Sequence, residues 1–315
     1  MTDVALLAAR SLAVRYGRNR AVDGISLEVR PREVVGLIGP DGAGKTSTLR
    51  VLGGLQRAND GQATAFGDDC WKARRSLHTR LGYLAQRFAL YGDLTVDENV
   101  QFFAMMNGVG DWRERRRRLL ELVGLAPFHT RLADRLSGGM KQKLALACTL
   151  IHSPEVLLLD EPTTGVDPVT RREFWRLLAD LVSEGLTLLV ATPYLDEAER
   201  CTRVLLMHEG TILADSKPQQ IPAMMPGTIL EITATPRATA AEILNALEGV
   251  ADVSVFGTTL HVHLEGNQHS EQSIRQILGA EGVKVSELDV VPAGLEDAFL
   301  YLTRSTTQQM STEAS

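Results

Sequence analysis

The chain has 315 residues, of which 44% are hydrophobic, with a formal net charge of −6 and a pI near 5.7. That length and apolar share allow one large domain plus a small one, each burying its own core. The acidic balance and an aromatic share of only 5% exclude a global basic footprint for DNA or RNA and offer little for stacking on single strands.

In chain order, Leu12-Ala13-Val14-Arg15-Tyr16-Gly17 comes first, and its pattern places Tyr16 as a half-buried strand tyrosine. Glu33 to Ile38 is a short apolar run between Pro31 and Gly39, the pattern of a buried strand in a parallel sheet. Gly39-Pro40-Asp41-Gly42-Ala43-Gly44-Lys45-Thr46 follows and fits G-x-x-x-x-G-K-[ST] at every fixed position. A helical pattern continues, with Leu49, Leu52 and Leu55 on one face. Strand, glycine-rich turn and helix together make a nucleotide site. Backbone N–H groups around Gly39, Asp41, Gly42, Ala43, Gly44 and Ser47 can close on phosphate oxygens at a helix N-terminus. Lys45 is placed to reach the outer phosphates, and the Thr46 hydroxyl to bind Mg²⁺.

Residues 87–150 read as a helical subdomain. Within it, Arg113 to Arg118 is a basic run broken by Glu114, read as a solvated helix face, with contact to lipid headgroups or a partner as the alternative. Leu136-Ser137-Gly138-Gly139-Met140-Lys141-Gln142 opens a helix running to about Ile151. Ser137 is a good N-cap there, and Gly138 and Gly139 leave backbone amides open to an anion. Val156 to Leu159 is a second apolar strand, ending in Asp160-Glu161. In an open parallel sheet, ligands sit beyond the carboxyl ends of the strands, so both acids should face the nucleotide. Asp160 is then expected to hold Mg²⁺ through water, and Glu161 to orient or polarise the attacking water. Cys70, Cys148 and Cys201 are scattered, without C-x-x-C spacing, and read as free thiols of a reducing compartment.

Near Pro218 to Gly227 the composition shifts to Pro, Met and Gln, marking a linker. Beyond it lie strands at Ile229–Thr233 and Asp252–Phe256 flanking a helix at Thr239–Leu247, then a strand at Leu260–Leu264, a helix at Ser270–Leu278 and a strand at Val283–Val290. That βαββαβ order predicts a small α+β ferredoxin-like module over 228–303. His261 and His263 alternate on one strand face and are expected to be surface residues, with a metal site as the minor alternative. Residues 304–315 are polar and are expected to form a disordered tail.

Together these motifs resemble the ATP-binding subunit of an ABC transporter over residues 4 to about 220. The closing Gly294-Leu295-Glu296-Asp297-Ala298-Phe299-Leu300 resembles the end of drug-exporter ATPase subunits of that family. The resemblance implies an α/β P-loop ATPase domain over 1–220, with a mixed sheet core, binding ATP and Mg²⁺. It also implies several residue roles. Tyr16 would stack on adenine. Gln86, in Gly82-Tyr83-Leu84-Ala85-Gln86, would sense Mg²⁺ and the attacking water, beside Glu161 as catalytic residue. Asp167, in Gly165-Val166-Asp167-Pro168, would lie in the loop linking two ATP sites. Two subunits of the family dimerise head to tail, so Ser137, Gly138 and Gly139 of one would cap the ATP held by Lys45 of the other. The mate could be a second copy or a related ATPase. Arg87 to Val100, with Phe88, Leu90 and Tyr91, lies where relatives dock a membrane permease; packing of the helical subdomain is the alternative.

No apolar stretch of the sequence approaches the roughly 20 residues needed to cross a bilayer, and no secretory signal is seen. The expected location is thus the cytoplasmic face of the membrane, with an integral permease as partner. Leu188-Leu189-Val190-Ala191-Thr192-Pro193-Tyr194 matches the family's switch region, except that relatives usually place histidine where Pro193 stands. Proline has no ring donor and no backbone N–H, fixes its own φ and biases Thr192 towards extended geometry. Either the site is slow or inactive and works beside a partner's complete one, or Glu161 and Gln86 sustain reduced hydrolysis. Two rival functions stay open: a regulatory subunit that clamps ATP without turnover, and a soluble superfamily member acting on DNA or ribosomes, against which the acidic charge weighs.

Overall fold

The computed structural model describes residues 4–87, 89–266 and 269–313, with side chains up to Ser305. It divides into two compact units, Met1–Pro218 and Gln219–Ser315. In the first, β1 (Leu7–Tyr16) and β2 (Asn19–Val29) pair antiparallel. Next come β3 (Val34–Ile38), buried along its whole length, and α1 (Lys45–Leu52). Gly54, at φ +67°, ends that helix in the left-handed conformation glycine adopts most cheaply. Leu55 therefore falls beyond α1 and is 48% exposed, so the expected apolar face stops at Leu52.

β4 (Asp60–Ala65), β5 (Asp68–Asp69), a single turn α2 (Arg74–Leu77) and β6 (Leu81–Leu84) follow. The helical segment then contributes α3 (Val96–Met106), α4 (Trp112–Leu122) and α5 (Gly138–Leu150). Thr95 and Glu98 cap α3 reciprocally, the side chain of each accepting from the other's backbone N–H. On α4 the basic run is only partly a solvated face. Arg116 pairs with Asp97 at 2.9 Å and Arg115 donates to the Leu150 carbonyl at 3.0 Å, tying α4 to α3 and α5. Arg113, Arg117 and Arg118 are exposed as expected.

β7 (Val156–Asp160), α6 (Pro168–Ser183), β8 (Thr187–Thr192), a short α7 (Leu195–Ala198), β9 (Arg203–His208) and β10 (Thr211–Ser216) complete the unit. Six strands form one mixed sheet in the order β10-β9-β3-β8-β7-β6, parallel except for β10. A second sheet, β2-β1-β4-β5, is antiparallel. A shared core joins them, with Leu7, Leu12 and Val22 of one sheet, Leu49 and Leu52 of α1, and Leu37, Leu158 and Leu205 of the other. Each fully buried leucine contributes about 1.5–3 kcal/mol by leaving water. The parallel order puts the ends of β3, β6, β7 and β8 at one edge, and the candidate site sits there.

The second unit runs β11 (Thr228–Thr235), α8 (Arg237–Asn245), β12 (Val250–Phe256), β13 (Thr259–Leu264), α9 (Glu271–Ala280), β14 (Lys284–Val291) and α10 (Leu295–Glu313). Its sheet, ordered β12-β13-β11-β14 and antiparallel throughout, has the expected ferredoxin-like topology. Leu230, Ile232, Val262, Leu244, Ile274 and Leu278 form its core. Two expectations are corrected here. His261 and His263 are not surface residues. His261 Nδ1 lies 2.9 Å from Asp297 of α10 and Nε2 lies 3.2 Å from Glu231. His263 is 5% exposed, with Nε2 2.6 Å from the Pro226 carbonyl. Nor is the segment from Arg304 to Glu313 an irregular tail, because it continues α10; residues 314–315 lie outside the described residues.

Candidate functional site

Glycine at two positions lets the loop between β3 and α1 close. A Cβ on Gly39 would lie 2.0 Å from the Met207 carbonyl oxygen, and Gly44 has φ +102° with its Cβ position 2.2 Å from the Ala21 carbonyl oxygen. No other residue fits there without moving backbone. The turn feeds directly into α1, whose first residue, Lys45, is 3% exposed. Lys45 Nζ donates to the Gly39 and Pro40 carbonyls at 2.8 and 2.9 Å and lies 3.6 Å from Glu161 Oε1. Burial pulls the ammonium below its ordinary pKa, while Glu161, Asp41 and Asp160 act in the opposite direction.

β7 ends in the acids. Thr46 Oγ1 donates to Asp160 Oδ1 at 2.8 Å, and the Tyr83 hydroxyl donates to Asp160 Oδ2 at 2.9 Å. The next residue, Glu161, turns out of the strand with φ +49° and its N–H on the Ala191 carbonyl at 2.8 Å. A carboxylate held in that sparsely populated conformation stores strain where chemistry is expected. Gln86 Nε2 donates to Glu161 Oε2 at 2.7 Å, and Thr164 Oγ1 reaches the same oxygen at 3.2 Å. Five sequence-selected side chains thus meet: Lys45, Thr46, Asp160, Glu161 and Gln86.

The remaining candidates divide. Tyr16 is 49% exposed, and its hydroxyl bonds Gln56 at 2.7 Å and sits 3.3 Å from Ser47 Oγ, which puts a half-exposed ring beside α1. Ser137 caps α5, accepting from the Met140 N–H at 3.3 Å. Gly138 is open, with nothing within 4 Å of a Cβ, whereas one on Gly139 would lie 2.4 Å from the Thr170 methyl. Asp167 caps α6, taking the N–H groups of Val169 and Thr170 at 3.0 Å and the Thr170 hydroxyl at 2.6 Å. Among the described residues, no hydrogen bond or ion pair joins Ser137, Gly138, Gly139 or Asp167 to the Lys45 group. Of the aromatic segment, Phe88 lies outside the described residues. Tyr91 is 46% exposed and edge-on to Phe102 at 4.6 Å.

Pro193 follows β8 at the same edge. The Thr192 carbonyl accepts from the Gly39 N–H at 3.3 Å and the Thr192 hydroxyl from the Tyr194 N–H at 3.1 Å, so the strand end is bonded to the glycine turn through its neighbours. Two contributors escaped the sequence reading. Thr164 lies only three residues from Glu161, just before the Gly165-Val166-Asp167-Pro168 segment. Tyr83 stands in the segment that carries Gln86, and only the parallel pairing of β6 with β7, Tyr83 opposite Leu158, brings it to Asp160.

A family model described as "ABC transporter" matches residues 22–164. The daunorubicin resistance ATP-binding protein DrrA2 of Streptomyces coeruleorubidus is 34% identical over 313 residues, covering 97% of both chains. The probable multidrug ABC transporter ATP-binding protein YbhF of Escherichia coli (strain K12) is 42% identical over 286 residues, 90% of this chain but 49% of that protein, so the chain spans about half of that relative. Among solved structures, cbiO1 of Clostridium perfringens, part of the transporter complex cbiONQ, superposes with TM-score 0.64 at 27% identity over 70% of this chain and 91% of its own. A dimeric bacterial ABC transporter cassette, MJ0796, gives TM-score 0.60 at 26% identity over 67% and 98%.

Proposed function

The chain belongs to the ABC transporter family, as a relative of its ATP-binding proteins, and from that premise we propose that it is the ATPase subunit of an exporter. It couples ATP binding and hydrolysis to movement of a membrane permease. The observation that carries the reading is the convergence of Lys45, Thr46, Asp160, Glu161 and Gln86 at one edge of the parallel sheet. The exporter assignment rests on the relatives, named for daunorubicin and multidrug resistance. A homodimer or a heterodimer with a second ATPase, a permease partner and a place at the cytoplasmic face of the membrane belong to the same proposal. Among the described residues no helix is long and apolar enough to cross a membrane, which agrees with a separate permease.

The donor set suits Mg²⁺. Thr46 Oγ1 and Asp160 Oδ1, 2.8 Å apart, are hard oxygen donors, few in number, as that ion takes when phosphates and water complete its shell. When bound there it would neutralise charge on the β- and γ-phosphates. The chain's own residues do the rest. The glycine turn presents its N–H groups to the phosphates, and Lys45 turns from the Gly39 and Pro40 carbonyls to their oxygens. Glu161 orients water for in-line attack, its own orientation fixed by Gln86 and Thr164. Tyr16 offers its exposed ring to adenine. Ser137, Gly138, Gly139 and Asp167 act across the dimer, which agrees with their separation from the Lys45 group within one chain.

Pro193 sets the vigour. Without a ring donor at the end of β8, one polar contact to the γ-phosphate is missing, and such losses cost about 10²–10³-fold in turnover. The intact Gln86–Glu161 pair at 2.7 Å favours slow hydrolysis over a silent clamp. The test is steady-state ATPase assay with Pro193→His, which should raise kcat by up to about 10²-fold. Robust wild-type turnover that histidine leaves unchanged would exclude the slow-site reading. Pull-down from membranes, with the permease and any second ATPase identified, tests the partners.

A further inference from the structure

At the opposite end of the parallel strands from the nucleotide edge lies a cleft of about 580 Å³ in the first unit. It runs between the helical segment and the sheet. Leu119, Leu150 and Leu186 line its apolar wall, and Arg32, Arg115 and Arg118 are its cations. That volume is in the range of small-molecule sites, and a few placed polar groups over an apolar lining are their usual makeup.

The cations are unevenly neutralised. Of the two glutamates on the lining, Glu155 is taken by Arg80 at 2.5 and 3.0 Å. Glu184 lies 3.5 Å from Arg118, an exposed pair that holds little. Arg115 spends one nitrogen on the Leu150 carbonyl, while its buried Nε has no partner. Its pKa is depressed by burial and then by Arg118, with no carboxylate acting against them. Arg32 has no carboxylate within ion-pair distance among the described residues.

The backbone at Arg32 adds a second line. Arg30-Pro31-Arg32-Glu33 is a turn closed by the Glu33 N–H on the Arg30 carbonyl at 3.2 Å, and Arg32 has φ +61°. Proline at the second position and positive φ at the third describe a type II turn, whose third position favours glycine. A residue with a long cationic side chain stands there instead, its backbone N–H donating to Thr187 Oγ1 at 2.8 Å.

We propose that this cleft is a binding site for a small amphiphilic organic anion, its carboxylate or sulfonate on Arg32 and Arg115 and its apolar body on the leucine wall. An occupant would span the α4–α5 side and the sheet side together, at the end of the strands away from the nucleotide edge. The probe is 8-anilino-1-naphthalenesulfonate, titrated by fluorescence into the intact protein and displaced by decanoate or by decyltrimethylammonium. Saturable binding is expected, with decanoate displacing the probe and the cation failing to. Arg32→Gly suits the turn better than arginine does, so this variant should fold at least as well while binding about tenfold or more weakly, the usual loss for a charged hydrogen-bond partner. Arg115→Gln should weaken binding similarly. Wild-type affinity in Arg32→Gly, or displacement by the cation as effective as by decanoate, would overturn the proposal.

Discussion

At the scale of single residues, the proposed function divides the site into groups that bind and groups that react. Glu161 touches neither Thr46 nor Asp160 by hydrogen bond, so Glu161→Gln should leave Mg-ATP binding intact while turnover falls by about 10²-fold or more. A nucleotide-binding isotherm beside a steady-state rate separates the two; lost binding would mean that Glu161 holds the loop rather than the water. Tyr83 is subtler. Both Asp160 oxygens accept, one from Thr46 and one from Tyr83, which fixes the carboxylate plane. Tyr83 is itself pushed well above the ordinary tyrosine pKa, chiefly by burial and then by Asp160, so it stays a donor at neutral pH. Tyr83→Phe removes one hydrogen bond to a charged group, an effect of about 1.5–3 kcal/mol, and should raise the Mg²⁺ concentration needed for half-maximal turnover about tenfold. Lys45, Thr46, Asp160 and Glu161 were legible because motif spacing encodes chemistry directly. Tyr83 was not, since its role comes from which strand pairs with which, and that information is not local.

At the scale of elements, caps decide where functional loops end. The family resemblance implies an inter-site loop at Asp167; the structure adds that this residue caps α6. Its carboxylate is held below the ordinary aspartate range, first by the Thr170 hydroxyl and then by the Thr170 N–H. A depressed folded-state pKa gives stability that is complete above the unfolded aspartate value and fades as pH falls through the lowered one. Asp167→Asn should therefore lose part of the acid-limb dependence of the urea midpoint, with little change in its dependence above neutrality. An unchanged acid limb would mean that the cap contributes nothing measurable. Histidines show the limit of strand patterns. Alternation put His261 and His263 correctly on one face, yet whether water or a helix covers that face depends on α10 folding back over it, with Ala298 fully buried. The polarity after Arg304 concealed that helix's length, because a helix and a loop can share that composition.

At the scale of the whole molecule, two separate cores, one around Leu49 and Leu158 and one around Ile232 and Leu278, predict independent folding. The βαββαβ order of the second unit was legible from apolar runs and turn residues; in the first, the buried strands β3 and β7 and the helices after the glycine turn and Ser137 were legible, but the antiparallel pairing of β1, β2, β4 and β5 was not. A chain ending at Pro218 should keep a cooperative melt and bind Mg-ATP within about threefold of the full chain, a difference below 1 kcal/mol. The proposed activity begins with phosphate held by the glycine turn and the buried lysine that begins α1. Isothermal titration of Mg-ATP into the full chain tests this most directly. Saturable heat is predicted for the wild type, with binding lost in Lys45→Ala that is otherwise folded. No heat in either protein, or equal affinity in both, would contradict it.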